Sequence, residues 1–97
     1  MRLRFTPRAA KDIAEIADYI SQENPRAAER VRASILEALQ TLATFPAMGR
    51  MQSVENVRKL VTRKYGYLVY YQADMVAGEI VVLSIRHPAR ERQYDDR

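Results

Sequence analysis

Basic and apolar residues alternate at the start of the chain, in Arg2-Leu3-Arg4-Phe5. A two-residue period predicts a short strand with Leu3 and Phe5 on its inner face. Thr6 and Pro7 follow, and Thr is a favoured helix N-cap while Pro is favoured at the first helical position. A first helix is therefore predicted here, with an apolar stripe at Ile13, Ile16, Ala17 and Ile20 and a polar face at Lys11, Asp12, Glu15 and Asp18.

The pair Asn24-Pro25 repeats this start signal and must also end the first helix, because the residue before a proline avoids helical backbone angles. Apolar residues then recur at helical spacing until Pro46 and Gly49. This pattern predicts a second, longer helix whose stripe contains Val31, Ile35, Ala38, Leu39 and Leu42. Two amphipathic helices joined by a tight break form a helical hairpin, whose apolar stripes need a second layer to cover them.

Beyond Asn56 the chain is rich in Val, Ile, Leu and Tyr, which favours strands. We predict strands at Val57 to Thr62, Tyr67 to Gln72 and Glu79 to Arg86. The breaks between them are so short that they can join only antiparallel neighbours. The predicted fold is α+β in two layers: an N-terminal strand, a helical hairpin and a three-stranded antiparallel meander. We expect residues 1–92 to form one domain and residues 93–97 a charged C-terminal tail.

The predicted strands are apolar on both faces, in Tyr67-Leu68-Val69-Tyr70-Tyr71 and in Glu79 to Ile85. Two helices can cover one face of a small sheet but not both. Some of these side chains must therefore lie under the loop at residues 46–56, under the C-terminal tail, or on an exposed surface that a partner covers. The sequence leaves self-coverage and partner binding both open.

Composition narrows the class of protein. Sixteen Lys and Arg against twelve Asp and Glu give a net charge of +4, and the basic surplus lies mainly in residues 50–90. Such a surplus suits an anionic partner, although it also serves solubility alone. The chain has no cysteine, which excludes disulfides and thiolate chemistry. Its N-terminus lacks the apolar run of a signal peptide and no segment has the length of a membrane span, so we expect a cytoplasmic location and no membrane contact.

The candidate chemistry consists of cations, one imidazole and the nearby Tyr65, Tyr67 and Tyr94, of which a Tyr could serve as an acid. His87 is the only histidine, and the acidic residues show no metal-ligand spacing, so neither a metal site nor a cofactor is expected. Metal-free RNA cleavage needs a proton carrier and cations that stabilise the phosphate. His87 would carry the proton, and Arg58, Arg63 or Arg86 would stabilise the charge. The alternative is that these cations face water and that His87, before a proline, is a turn residue.

Four stretches in this order resemble the RelE/ParE superfamily of toxins from bacterial type II toxin–antitoxin systems, and the resemblance covers nearly the whole chain. They are FTPRAAKDIAEIADYI from Phe5, NPRAAERVRASILEALQTLATFPAMGR from Asn24, VRKLVTRKYGYLVYYQ from Val57 and IVVLSIRHPARER from Ile80. The ending His87-Pro88-Ala89-Arg90 is similar to the ParE branch. Ribosome-dependent RNases of the RelE type typically end with a catalytic Tyr or adjacent His and Tyr, whereas here Tyr94 lies seven residues beyond His87.

The resemblance implies a toxin that poisons DNA gyrase by protein–protein contact and is neutralised by a cognate antitoxin, with which it forms a hetero-oligomer. Candidate target-binding residues are Arg63, Lys64, Tyr65, Arg86, His87, Arg90 and Arg92. Candidate antitoxin-binding residues, chosen from the apolar strands, are Leu68, Tyr70, Val81, Leu83 and Ile85. Two alternatives stay open: a RelE-like endonuclease that cuts mRNA on the ribosome, and a non-toxic homologue that acts as an antitoxin-bound co-repressor or a nucleic-acid-binding module.

Overall fold

The computed structural model describes residues 1–88, which form two helices packed on one mixed sheet. The elements in chain order are β1 (Arg2–Phe5), α1 (Pro7–Ser21), α2 (Pro25–Thr44), β2 (Arg50–Met51), β3 (Arg58–Val61), β4 (Leu68–Asp74) and β5 (Glu79–Arg86). The predicted α+β class with an N-terminal strand, a helical hairpin and an antiparallel meander is confirmed. The predicted tail at residues 93–97 lies outside the described residues.

Both helices begin at the residues that the capping pattern predicts. The Thr6 hydroxyl accepts a hydrogen bond from the Ala9 N–H at 3.1 Å, and the Asn24 side chain accepts one from the Ala27 N–H at 3.1 Å. Each cap satisfies a backbone donor that the first helical turn leaves free. The Thr6 hydroxyl also donates to the Leu83 carbonyl at 2.9 Å, so the start of α1 is tied to β5.

The strand order in the sheet is β1-β5-β4-β3-β2. β3, β4 and β5 form the predicted antiparallel meander, and β1 extends it by pairing parallel with β5. Parallel pairing is possible here because the helical hairpin carries the chain across the sheet between β1 and the meander. β2 was not predicted: its two residues pair with the start of β3 from within the loop that the sequence leaves without structure.

The main core lies between the helices and one face of the sheet. Its largest enclosed side chains include Ile35, Leu39 and Leu42 of α2 and Tyr71, Ile80 and Val82 of the sheet. The predicted polar face of α1 is wrong at one position, because Asp12 is buried rather than exposed. Its carboxylate accepts a hydrogen bond from the Ile85 N–H at 3.0 Å, which gives it a partner inside the fold.

A second, smaller apolar cluster covers the other face of the sheet. It consists of Val57, Leu68 and Tyr70, with the partly buried Leu83 packed against them. Leu68 and Tyr70 are buried, so much of the two-sided apolar pattern is covered within the chain itself. The sequence leaves open whether these side chains are covered by the chain itself or by a partner. For Leu68 and Tyr70 of β4, the chain itself covers them.

Candidate functional site

A buried tyrosine and an arginine hold the loop that follows α2. The Tyr71 hydroxyl donates to the Pro46 carbonyl at 2.8 Å and accepts from the Gly49 N–H at 2.7 Å. A Cβ at Gly49 would lie 2.5 Å from that hydroxyl oxygen, so the approach requires a residue with no side chain. Arg58 Nη1 donates to the Gly49 carbonyl at 2.7 Å and to the Ala47 carbonyl at 3.3 Å.

These contacts show that Arg58 has a structural role in holding the loop. Its guanidinium donates hydrogen bonds to two loop carbonyls, whereas the RNase hypothesis requires it beside a phosphate. Burial raises the pKa of Tyr71 above its usual value of about 10, although the Gly49 hydrogen bond and the Arg58 charge both lower it. Tyr71 is therefore neutral at physiological pH and remains a hydrogen-bond donor to the loop.

The turn between β3 and β4 presents basic and aromatic side chains at a strained position. Arg63, Lys64 and Tyr65 are all exposed. Tyr65 has φ 68° and Gly66 has φ 64°, and left-handed backbone costs a non-glycine residue about 1–2 kcal/mol. The Thr62 hydroxyl donates to the Lys64 carbonyl at 2.7 Å, which helps to hold this turn. The fold therefore keeps an aromatic side chain where Gly or Asn would be less strained.

A cleft of about 610 Å³ separates α1 from the end of β5. Its lining includes Asp12, Glu15, Ile16, Tyr19, Tyr67, Ile85, Arg86 and His87. The rings of Tyr67 and His87 meet edge to face, with centroids 5.5 Å apart. Burial raises the pKa of Tyr67 above its usual value of about 10, so this phenol does not act as a base near neutrality.

The structure gathers most of the predicted target-binding residues at one end of the sheet. Strand pairing places Val61 beside Leu68 and Leu68 beside Arg86, so the β3–β4 turn and the end of β5 lie together. A Cβ at Gly66 would lie 3.9 Å from the Pro88 ring, which confirms that the two segments are close. We call this surface the basic end; it comprises Arg63, Lys64, Tyr65, Arg86 and His87. Arg90 and Arg92 lie outside the described residues.

The four residues of the RNase hypothesis do not line one cavity. Arg86 and His87 line the cleft beside α1, whereas Arg63 lines a separate cavity beside α2. Arg58 bonds to the loop after α2. General acid–base cleavage requires the proton carrier and the charge-stabilising groups around one reacting phosphate. Of these four residues, only Arg86 and His87 line the same cavity in the described part of the chain.

The predicted antitoxin-binding residues divide between the two faces of the sheet. A β-bulge shifts the register so that Tyr70 pairs with Ser84 and Tyr71 with Val82, leaving Leu83 as the extra residue. The bulge turns Ile85 toward the helices, where it is buried in the main core. Ile85 therefore lies on the helix side of the sheet, whereas Leu83 packs against the second apolar cluster on the other side.

The other members of that set differ in accessibility. Leu68 and Tyr70 are buried in the second apolar cluster, so they cannot contact a partner in this conformation. Val81 and Leu83 are partly exposed. They are the two members of the predicted antitoxin surface that a partner can reach.

The sequence analysis does not predict the structural roles of two residues, Asp12 and Tyr71. Asp12 lies three residues after Ala9 and four before Ile16, so helical spacing had already placed it at the margin of the apolar stripe. Tyr71 gives no such signal, because none of its neighbours in sequence indicates that its hydroxyl bonds to a residue 22 positions away.

Within residues 1–88, no group of three or more His, Asp or Glu side chains is placed to hold a metal ion, and neither helix is long and apolar enough to cross a membrane.

Sequence comparison identifies the class of protein. Residues 3–92 match the family of ParE toxins of type II toxin–antitoxin systems. The chain is 35% identical over 86 residues to the putative toxin Y4kP of Sinorhizobium fredii, covering 89% of this chain and 86% of that one. It is 37% identical over 86 residues to the toxin RelE2 of Caulobacter vibrioides, covering 89% of this chain and 93% of that one. The chain therefore belongs to the ParE toxin family within the RelE/ParE superfamily, as its motifs predict.

Solved structures agree with this assignment. The chain superposes on a chain of the chromosomal ParDE system from P. aeruginosa with a TM-score of 0.76 and 27% identity, covering 90% of this chain and 95% of that one. It also superposes on a chain of the E. coli RelBE toxin–antitoxin complex with a TM-score of 0.69, covering 92% of this chain and 98% of that one. Identity in that second pair is 20%, so the likeness concerns the fold alone.

Proposed function

We propose that this toxin acts in the ParE manner, by binding DNA gyrase and blocking it through protein–protein contact, and that a cognate antitoxin neutralises it. The observation that carries the proposal is the basic end, where exposed Arg63, Lys64, Tyr65 and His87 share one surface. Aromatic and arginine side chains are enriched at protein interfaces, where they supply much of the binding energy. The match to the ParE family over residues 3–92 supports the same conclusion.

The dispersal of the candidate catalytic residues argues against an enzyme. Arg58 is bonded to the loop after α2, and Arg63 and His87 line different cavities. A contact toxin needs an exposed surface and no reacting centre, which agrees with this arrangement. The proposed antitoxin contacts are Val81 and Leu83, which are partly exposed and lie on the face of the sheet opposite the helices.

The order in which cellular processes stop after the chain is induced alone in a bacterial host tests the proposal. Gyrase inhibition predicts that DNA synthesis stops first and that cells filament. Labelled thymidine and labelled methionine, added to parallel cultures, report the order directly. Growth without arrest would instead favour the non-toxic homologue.

A second candidate function is favoured by one specific observation. Arg86 and His87 line the same cleft as Tyr67, so a cation, an imidazole and a phenol border one space. A RelE-like endonuclease would use His87 to move a proton and Arg86 to stabilise the phosphate. In that case protein synthesis stops first, mRNAs are cut within codons, and His87→Ala abolishes toxicity while antitoxin binding persists.

A further inference from the structure

The helical layer leaves part of the sheet uncovered. In the described residues α2 packs near β1 and β5 but makes no close approach to β3. A groove of about 740 Å³ fills this gap between α2 and the β3–β4 turn. We call it the α2–β3 groove; its lining includes Arg30, Met48, Val61, Arg63, Lys64 and Tyr65.

The walls of the α2–β3 groove combine exposed apolar surface with positive charge. Met48, Val61 and Tyr65 are 53%, 50% and 47% exposed, although each is a large apolar or aromatic residue. Three of the lining residues are cations and one, Glu37, is an anion. Apolar surface bordered by cations is complementary to a protein segment that carries both apolar and acidic side chains.

The outer edge of β3 adds backbone groups to this surface. β2 pairs only with Arg58 and Lys59, so in the described chain no strand lies beside Leu60 and Val61 on that side. A strand edge without a neighbour accepts an extended segment by main-chain hydrogen bonding. The groove therefore offers both side-chain pockets and a free strand edge to the same segment.

We propose that the α2–β3 groove binds an extended, acidic and apolar segment of gyrase. This inference rests on the proposed function and names the part of the toxin that holds the target. The groove shares Arg63, Lys64 and Tyr65 with the basic end, so one continuous surface would contact the target. Val81 and Leu83, the antitoxin contacts proposed above, lie on strand β5 rather than on this edge, so the two partners would bind at separate places.

Two substitutions test the groove without disturbing the fold. Tyr65→Asn removes the ring while Asn tolerates the left-handed backbone of this turn, so the turn should persist. Lys64→Glu reverses an exposed charge at the groove. Matched controls are Met75→Asn, which removes another exposed apolar side chain, and Lys11→Glu, which reverses an exposed charge on α1.

Each variant is compared with the unsubstituted chain in thermal unfolding, co-purification with the antitoxin, growth arrest after induction, and inhibition of purified gyrase. We expect Tyr65→Asn and Lys64→Glu each to weaken growth arrest and gyrase inhibition by about tenfold or more, as loss of an interface hot spot does. Antitoxin binding should match the unsubstituted chain in both variants. The unfolding temperature of Lys64→Glu should also match it, and that of Tyr65→Asn should be equal or higher, because Asn is less strained in this turn. Both controls should keep full potency.

The possible outcomes separate the two proposals. If the unsubstituted chain inhibits gyrase and both groove variants inhibit equally well, the groove proposal and the assignment of Lys64 and Tyr65 to the contact surface are wrong, while gyrase inhibition itself stands. Groove variants that lose antitoxin binding but still arrest growth would overturn it too, because the groove would then hold the antitoxin. If the unsubstituted chain arrests growth without affecting gyrase, both the proposed function and gyrase as the groove's occupant are wrong.

Discussion

The hydroxyl of Tyr71 offers a sharp test of how the loop after α2 is held. Tyr71→Phe keeps the ring and its packing but removes the group that donates to the Pro46 carbonyl and accepts from the Gly49 N–H. An unpaired buried N–H costs about 1–3 kcal/mol, and a lost hydrogen bond to a partly exposed carbonyl costs about 0.5–1.5 kcal/mol. Together these losses predict that the free energy of unfolding decreases by about 1.5–4.5 kcal/mol, which is large against a total stability of about 5–15 kcal/mol.

Urea unfolding followed by far-ultraviolet circular dichroism measures this change. We expect the midpoint for Tyr71→Phe to fall by about 1–3 M urea with an unchanged slope. Tyr19→Phe is the matched control: its side chain is exposed, so its free energy of unfolding should stay within about 0.5 kcal/mol. If Tyr71→Phe is as stable as the control, the hydroxyl does not hold the loop and the reasoning is refuted.

Four further predictions follow from the same contacts. Because burial raises the pKa of Tyr71 in the folded state, stability should decline as pH rises above about 10, and Tyr71→Phe should show a smaller decline in urea midpoints. Asp12→Ala leaves the Ile85 N–H unpaired and should cost about 1–3 kcal/mol, whereas Asp12→Asn keeps an acceptor and should cost less in the same unfolding assay. Gly49→Ala should cost about 1–3 kcal/mol by overpacking against Tyr71, and equal stability to the unsubstituted chain would contradict the close approach. His87→Ala should weaken growth arrest only in part, because it removes one contact of the basic end and a contact toxin requires no proton carrier; a harmless variant with intact antitoxin binding would favour the endonuclease instead.

Local signals predict the elements of this fold well. Thr6-Pro7 and Asn24-Pro25 mark both helix starts because capping depends on residues within one turn. Short breaks between apolar stretches predict the antiparallel meander, since the chain has no room for a crossover. β2 is not predicted, because a strand of two residues is too short to show the alternation of apolar and polar positions.

Long-range contacts set the limit of prediction for the candidate site. The bulge at Leu83 turns Ile85 into the core, and no residue type marks a bulge at that position. The burial of Asp12 depends on an N–H 73 residues away. The α2–β3 groove arises from where the helices cross the sheet, which strand and helix periods do not specify.

Titration of purified gyrase with the purified toxin tests the proposed function most directly, with supercoiling of a relaxed plasmid as the readout. Contact inhibition predicts that supercoiling falls to a plateau as toxin is added, that His87→Ala reaches the same plateau at a higher toxin concentration, and that the antitoxin restores activity. Full supercoiling at excess toxin, from a preparation that arrests growth and cuts mRNA on ribosomes, would contradict the proposal and identify the protein as an endonuclease.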